Sequence, residues 1–267
     1  MSATGDSLLE AALRRDRRIV AACLAAVTVL AWGYTLWLAS AMQMPATAAG
    51  LTMTPGPHQW NPPEFVYMFV MWTVMMLGMM VPSAAPMILI YARVGRQAAQ
   101  RSAPLAATGF FAGGYLLAWV LFSLLATAGQ WGLEQALLLT PMMASASTAF
   151  SGLVLAAAGL FQWTPAKDAC LRHCQAPLAF IQRHGGFRRE PAGSLALGFH
   201  HGLYCVGCCW ALMALLFVGG VMNVLVIAAI AAFVLAEKVI PAGRWLPRLA
   251  GTALGVTGGW LLLGALV

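Results

Sequence analysis

Long apolar runs constrain this chain more than anything else in it: several reach the roughly 20 residues that a helix needs to span a bilayer. Charge is scarce between them. Of 267 residues, 61% are hydrophobic and 9% charged, whereas a soluble domain carries about a quarter of its residues charged. The short alternating strands of a β-barrel are missing. The expected fold class is therefore all-α, a polytopic transmembrane helix bundle forming a single integral membrane domain over residues 1–267.

Seven helices are predicted, at about 19–41, 64–92, 105–128, 144–164, 194–218, 221–238 and 248–266. The fifteen Lys and Arg residues then fall into the segments on one side. Arg14, Arg15, Arg17 and Arg18 precede the first helix. Arg93, Arg96 and Arg101 follow the second. Lys167, Arg172, Arg183, Arg188 and Arg189 lie between the fourth and fifth, and Lys238, Arg244 and Arg248 between the sixth and seventh. The positive-inside rule makes that side cytoplasmic, with the N-terminus inside and the C-terminus outside. The net charge of +7 thus comes from membrane topology and calls for no nucleic-acid partner. The first helix is too long, and lacks a clean small-residue site after it, for a cleavable signal. No internal repeat or soluble domain stands out.

One stretch inside the fifth helix is unlike its surroundings. HGLYCVGCCW, residues 201–210, combines a histidine with three cysteines. At 100° per residue His201, Cys205, Cys208 and Cys209 share an arc of roughly 100°, and His200 falls elsewhere. Thiolate and imidazole suit Cu(I) or Zn(II). A polar residue at membrane depth is costly and faces the bundle interior. Small-residue packing is the competing reading of the cysteines, and a single helix face rarely supplies every ligand of an ion. Adjacent Cys208 and Cys209 would need another helix to complete one tetrahedral site.

Two further cysteines, Cys170 and Cys174, fall in the segment TPAKDACLRHCQAP, expected as a cytoplasmic loop. A reducing compartment argues against a structural disulfide there, which leaves metal binding or thiol chemistry. Cys23, alone in the first helix, reads as a small buried packing residue. The second helix is rich in methionine. Met68, Met71, Met75 and Met79 form one stripe, and Met76, Met80 and Met87 a second. Thioether sulfur is a soft ligand, although methionine is also a flexible core filler. Met75, Met76, Met79 and Met80 are kept as candidate ligands; Met42, Met44, Met53 and His58 add soft groups in the outer segment. Pro82 and Pro86 predict a break in this helix. Glu237 and Lys238 read as charges at the membrane edge, and the glycines of the third and seventh helices suit close helix contacts.

Four segments together carry a resemblance. W-x2-MM-x2-MM-x-P-x3-PM places Trp72, Met75, Met76, Met79, Met80, Pro82, Pro86 and Met87. TP-x-K-x2-CL-x2-C-x2-P places Thr164, Pro165, Lys167, Cys170, Leu171, Cys174 and Pro177. HG-x2-C-x-GCCW places His201, Gly202, Cys205, Gly207, Cys208, Cys209 and Trp210, and a closing EK places Glu237 and Lys238. Over about residues 65–250 the chain resembles a bacterial family of predicted metal-binding integral membrane proteins, domain of unknown function 2182. That resemblance implies metal binding and no established reaction.

The leading expectation is a multi-pass protein of the bacterial inner membrane that handles Cu(I) by transport, delivery or assembly of a copper site, with Zn(II) as the alternative ion. Its partners would be the lipid bilayer and a metal donor, metal acceptor or partner subunit. The methionines of the second helix would pass the ion to His201, Cys205, Cys208 and Cys209, and Cys170, His173 and Cys174 would receive it. Three thiolates hold an ion too tightly for easy conduction, which favours a chaperone or assembly role. A copper-dependent oxidoreductase subunit is the alternative, and thiol–disulfide exchange ranks last. No P-loop, HExxH or serine-hydrolase elbow is present, so ATP-driven pumping by this chain alone is disfavoured.

Overall fold

The computed structural model describes residues 3–43, 60–98, 104–140, 143–188, 190–240 and 243–266. These residues are all-helical apart from turns and one isolated bridge between Leu139 and Ser145. The helical segments are α1 (Ala3–Gln43), α2 (Pro62–Ala98), α3 (Pro104–Gln135), α4 (Thr148–Gln162), α5 (Pro165–Gln175), α6 (Pro177–Arg183), α7 (Pro191–Ala214), α8 (Leu216–Gly219), α9 (Val224–Val239) and α10 (Trp245–Gly264).

The expected seven spans are corrected. Among the described residues four helical stretches are long and apolar enough to cross a membrane: Arg17–Met42, Pro62–Arg96, Ala107–Gln135 and Pro191–Gly219. A fifth arises if α4 and α5, bent by 64° at their junction, make one broken span. The difference is one of length and dilution. α4 has 15 residues and α9 has 16, short of the roughly 20 that a span needs. α10 starts among Arg244 and Arg248 and is diluted by Gly251, Gly255, Gly258 and Gly259.

A second correction concerns residues 165–193, expected as a loop. Most of this segment is helical. Thr164 caps α5, its side chain accepting from the Lys167 amide at 3.2 Å, and Pro165 occupies the first turn. Pro177 starts α6 in the same way, without a side-chain cap. Short polar helices of this kind escape a reading based on long apolar runs.

The predicted break in α2 is also absent, as the helix runs through Pro82 and Pro86. Pro82 has no N–H to offer the carbonyl of Gly78. The indole Nε1 of Trp32 on α1 donates to that oxygen instead, at 3.1 Å. Neighbouring helices satisfying a freed carbonyl is what keeps a proline-containing helix intact in an apolar bundle.

Glycines set the closest helix contacts. α3 packs along α7, and α10 along α4. A methyl group added at Gly198 would collide with the Phe111 carbonyl, and one at Gly114 with the Leu195 carbonyl. On the other pair, a Cβ at Gly159 would come within 2.6 Å of the Gly255 nitrogen and 2.7 Å of the Gly251 oxygen. Of the glycines expected to serve packing, Gly114, Gly251 and Gly258 do so, while a Cβ at Gly109, Gly113 or Gly259 would meet open space. α2 lies against α1, α3, α6 and α9, which explains why so much of its surface is buried. Gly198→Ala should destabilise the protein by about 1–3 kcal/mol, the usual scale of overpacking. Gly113→Ala, on α3 with open space around it, should be near neutral. Thermal unfolding in detergent, followed by fluorescence, would compare the two.

Candidate metal centre

Close approach of α3 and α7 is where the site begins. Gly198 and Gly202 let α7 lie against the α3 backbone around Phe111 and Tyr115. One turn further on, Cys205 meets the Tyr115 hydroxyl at 3.2 Å. Cys205, Cys208 and Cys209 are almost completely shielded, and His201 is 2% exposed. The face expected from helical phase is thus the buried one.

The thiols of α7 are ordered by one carbonyl. Cys208 Sγ donates to Cys205 O at 3.1 Å, and Cys209 Sγ to the same oxygen at 2.8 Å. α5 packs along α7 and supplies a fourth buried thiol, Cys174, to the same core as Cys205 and Cys208. Cys170, one turn earlier on α5, is half-buried, and its sulfur sits 2.9 Å from where a Cβ of Gly207 would be. Gly207 therefore leaves the room that Cys170 occupies. α5, expected as a cytoplasmic loop, is a helix packed on α7, and Cys174 shares its buried core with Cys205, Cys208 and Cys209.

Two lysines and a glutamate close the pocket. Lys238 Nζ donates to Cys205 Sγ at 2.9 Å and to Ser83 Oγ at 2.8 Å. Lys167, fully buried, pairs with Glu237 at 2.7 Å. Gln162 Nε2 donates to the other Glu237 oxygen at 3.3 Å, and Gln175 Nε2 to its backbone carbonyl at 2.7 Å. Glu237 and Lys238 are thus buried, where a charge pair at the membrane edge was expected. Lys167 likewise leaves the loop to which charge segregation assigned it. The reason in both cases is a specific partner inside the bundle, which a count of charges per segment does not register.

His201 has a buried Nδ1 with no hydrogen-bond partner among the described residues. Its ring lies among Phe111, Tyr115 and Phe180, with centroids 6.1, 5.7 and 5.2 Å away. A buried polar atom without a partner asks for an explanation, and a soft-metal ligand is one role that its chemistry fits. Even so, among the described residues no three His, Cys, Asp or Glu side chains surround a common point in the manner of a ready metal site. The thiols bond to a carbonyl, a lysine and a tyrosine, and they must turn away from these to take up an ion.

Met75, Met76, Met79 and Met80 are all buried, as are Met71 and Met87, in the same core as the cysteines. Besides Ser83 through Lys238, α2 reaches the thiols through Tyr115, whose hydroxyl contacts both Cys205 and the Met80 carbonyl, the latter at 3.1 Å. Met42 is half-buried against this core; Met44, Met53 and His58 lie outside the described residues. Cys23 is exposed on α1, contrary to its expected burial, because that face of α1 has no neighbouring helix among the described residues. Tyr115 and Ser83 were missed in the sequence: nothing in GGYLL or VPSAAP distinguishes a thiol contact from ordinary packing.

Comparison with known proteins gives one match. The family model PpoB2, described as a copper chaperone, matches residues 69–261. No curated protein and no solved structure matches the chain. The matched region takes in α7, α5 and the end of α9, and so every residue of the thiol pocket. The chain belongs to the copper chaperone family.

Proposed function

We propose that this protein is an integral membrane copper chaperone that holds Cu(I) in a dry thiol pocket formed by Cys174, Cys205, Cys208 and Cys209, with His201 and Cys170 beside it. The observation that carries the reading is the burial of four free thiols of α5 and α7 in one core in a chain of a copper chaperone family. Soft sulfur donors favour Cu(I) over harder ions. Burial keeps water and oxidants away, and a tight pocket suits holding and delivery better than rapid conduction.

Lys238 has a defined part in this scheme. Two thiolates on Cu(I) carry a net charge of minus one, and a buried charge is costly unless paired. The ammonium already sits 2.9 Å from Cys205 Sγ, where it offsets that charge. Loading releases the thiol protons, and the Cys208 and Cys209 bonds to the Cys205 carbonyl give way to bonds to the metal. Tyr115 and Ser83 orient Cys205 and Lys238 respectively. The buried methionines Met75, Met76, Met79 and Met80 line the neighbouring core as weak soft donors along which an incoming ion passes.

The four or five apolar helices support insertion in the cell's inner (plasma) membrane. The segregation of arginines supports a cytoplasmic position for the end that carries Arg93, Arg96 and Arg188. Tyr91, near the end of α2, bonds to the Arg188 carbonyl at 3.3 Å and lies 3.0 Å from Ser194 Oγ, a contact that supports grouping the end of α2 with the start of α7. A protein that donates or accepts copper is the partner this function requires.

Protein purified anaerobically from copper- and zinc-supplemented cells should contain roughly one copper per chain. Cys205→Ser/Cys208→Ser/Cys209→Ser should contain almost none; equal metal content in both proteins would sink the reading. Cys174→Ser should lower Cu(I) affinity by about tenfold or more, near 1.4 kcal/mol, while Cys23→Ser leaves it unchanged. Competition against a chromogenic Cu(I) chelator measures both. In the same titration Lys238→Met should weaken binding by a similar factor, and unchanged affinity would show that its charge plays no part.

A further inference from the structure

A second set of metal-binding side chains lies beside the thiol pocket and is not used by it. His173 on α5, His184 at the end of α6 and His200 on α7 come together on the outer side of these helices. Ring centroids are 6.4 Å apart for His173 and His184, and 6.3 Å for His184 and His200. His173 and His184 are half-buried and His200 is exposed, so the row runs from the protein surface inward.

The proton positions favour metal binding. His173 Nδ1 lies 2.8 Å from the Ala169 carbonyl, and His184 Nδ1 lies 2.9 Å from the Phe180 carbonyl. A carbonyl only accepts, so each ring must carry its hydrogen on Nδ1. In the neutral imidazole the Nε2 lone pair is then left for another partner. A ring N–H anchored to a backbone carbonyl is the usual second interaction of a histidine that binds a metal. Aromatic rings hold the imidazoles in place. Tyr204 stacks on His173 with centroids 4.1 Å apart and planes 2° from parallel, and Phe180 packs on His184 at 4.3 Å.

Distances set the coordination number. An imidazole nitrogen sits about 2.0–2.1 Å from a first-row metal, so two rings on either side of one ion have centroids roughly 6 Å apart. Both observed separations lie close to that spacing. That agrees with the lack of any three-ligand group among the described residues. Cu(I) accepts two nitrogen ligands, and a site with so few donors releases its ion readily, as a relay must.

We propose that His173, His184 and His200 form a transfer station for Cu(I), with His184 shared between an outer pair with His200 and an inner pair with His173. The inference rests on the copper-chaperone reading above. His173 follows Cys170 by one helical turn and directly precedes Cys174, so an ion on the inner pair is one step along α5 from the thiols. A copper donor or acceptor would dock where His200 is exposed. No electrons move; one imidazole replaces another, and a cysteine thiol then replaces imidazole as thiolate, its proton passing to the Nε2 of the imidazole released.

The test uses the full chain in detergent, under anaerobic conditions, with Cu(I) supplied from a chromogenic chelator. In protein with Cys170, Cys174, Cys205, Cys208 and Cys209 changed to Ser, X-ray absorption should show about one Cu(I) bound by nitrogen alone, and His184→Gln in that background should abolish it. In the otherwise intact chain, where folding is not in question, His184→Gln should slow loading of the thiols about tenfold. Thiol-free protein that folds and binds no Cu(I), or binding and loading indifferent to His184→Gln, would overturn the station. If the intact chain still binds copper through its thiols in that event, the chaperone reading survives; if the intact chain binds none, both fall.

Discussion

The thiol pocket depends on charges that have been taken out of water at the end of α9. Glu237 and Lys238 are neighbours in the chain, and a step of 100° around the helix turns them toward different partners. Glu237 faces Lys167 of α5 and Gln162 of α4. Lys238 faces Cys205 of α7 and Ser83 of α2. One turn of helix thereby ties four others together. Each charge costs several kcal/mol to bury, and removal of one partner from such a pair leaves the other uncompensated, at about 3–5 kcal/mol. The Lys167–Glu237 pair thus keeps α5 inside the bundle, and α5 in place is what sets Cys174 beside the thiols of α7.

Glycine supplies the second requirement. Without the bare backbone at Gly198 and Gly202, α7 would stand further from α3, and the Tyr115 hydroxyl could not reach both Cys205 and the Met80 carbonyl. The hydroxyl joins the methionine-rich helix to the cysteine-rich one. In this arrangement the sulfur groups are held on packed helices, with Tyr115, Lys238 and a backbone carbonyl as their polar neighbours. On the proposed reading, such an arrangement guards an ion rather than passing a stream of them, and the chain belongs to a copper chaperone family.

Much of the site was legible because helical periodicity is local. Four residues of HGLYCVGCCW could be put on one face from their spacing alone, and that face is buried. Cys170 and Cys174 were legible as a motif but misplaced, because a short polar segment between apolar runs reads as an exposed loop. The burial of Lys167 and Lys238 was hidden for a similar reason: a lysine is read as solvated until a partner some 70 or more residues away is known, as with Glu237 for Lys167 and Ser83 for Lys238. The histidine row was harder still. His173, His184 and His200 come from different helices and share no spacing that a single helix could encode.

Composition and periodicity by themselves determined an all-helical chain with several stretches able to cross a membrane, and a row of soft ligands on one helix face. These are properties of a single segment, since hydrophobicity over about 20 residues and a 3.6-residue repeat need no knowledge of neighbours. Only the tertiary structure decided that four or five helices have the length to span, that α5 enters the bundle, and that a lysine contacts the central cysteine. Those outcomes depend on contacts between distant segments, where one buried charge finding its partner outweighs the average polarity of the stretch around it.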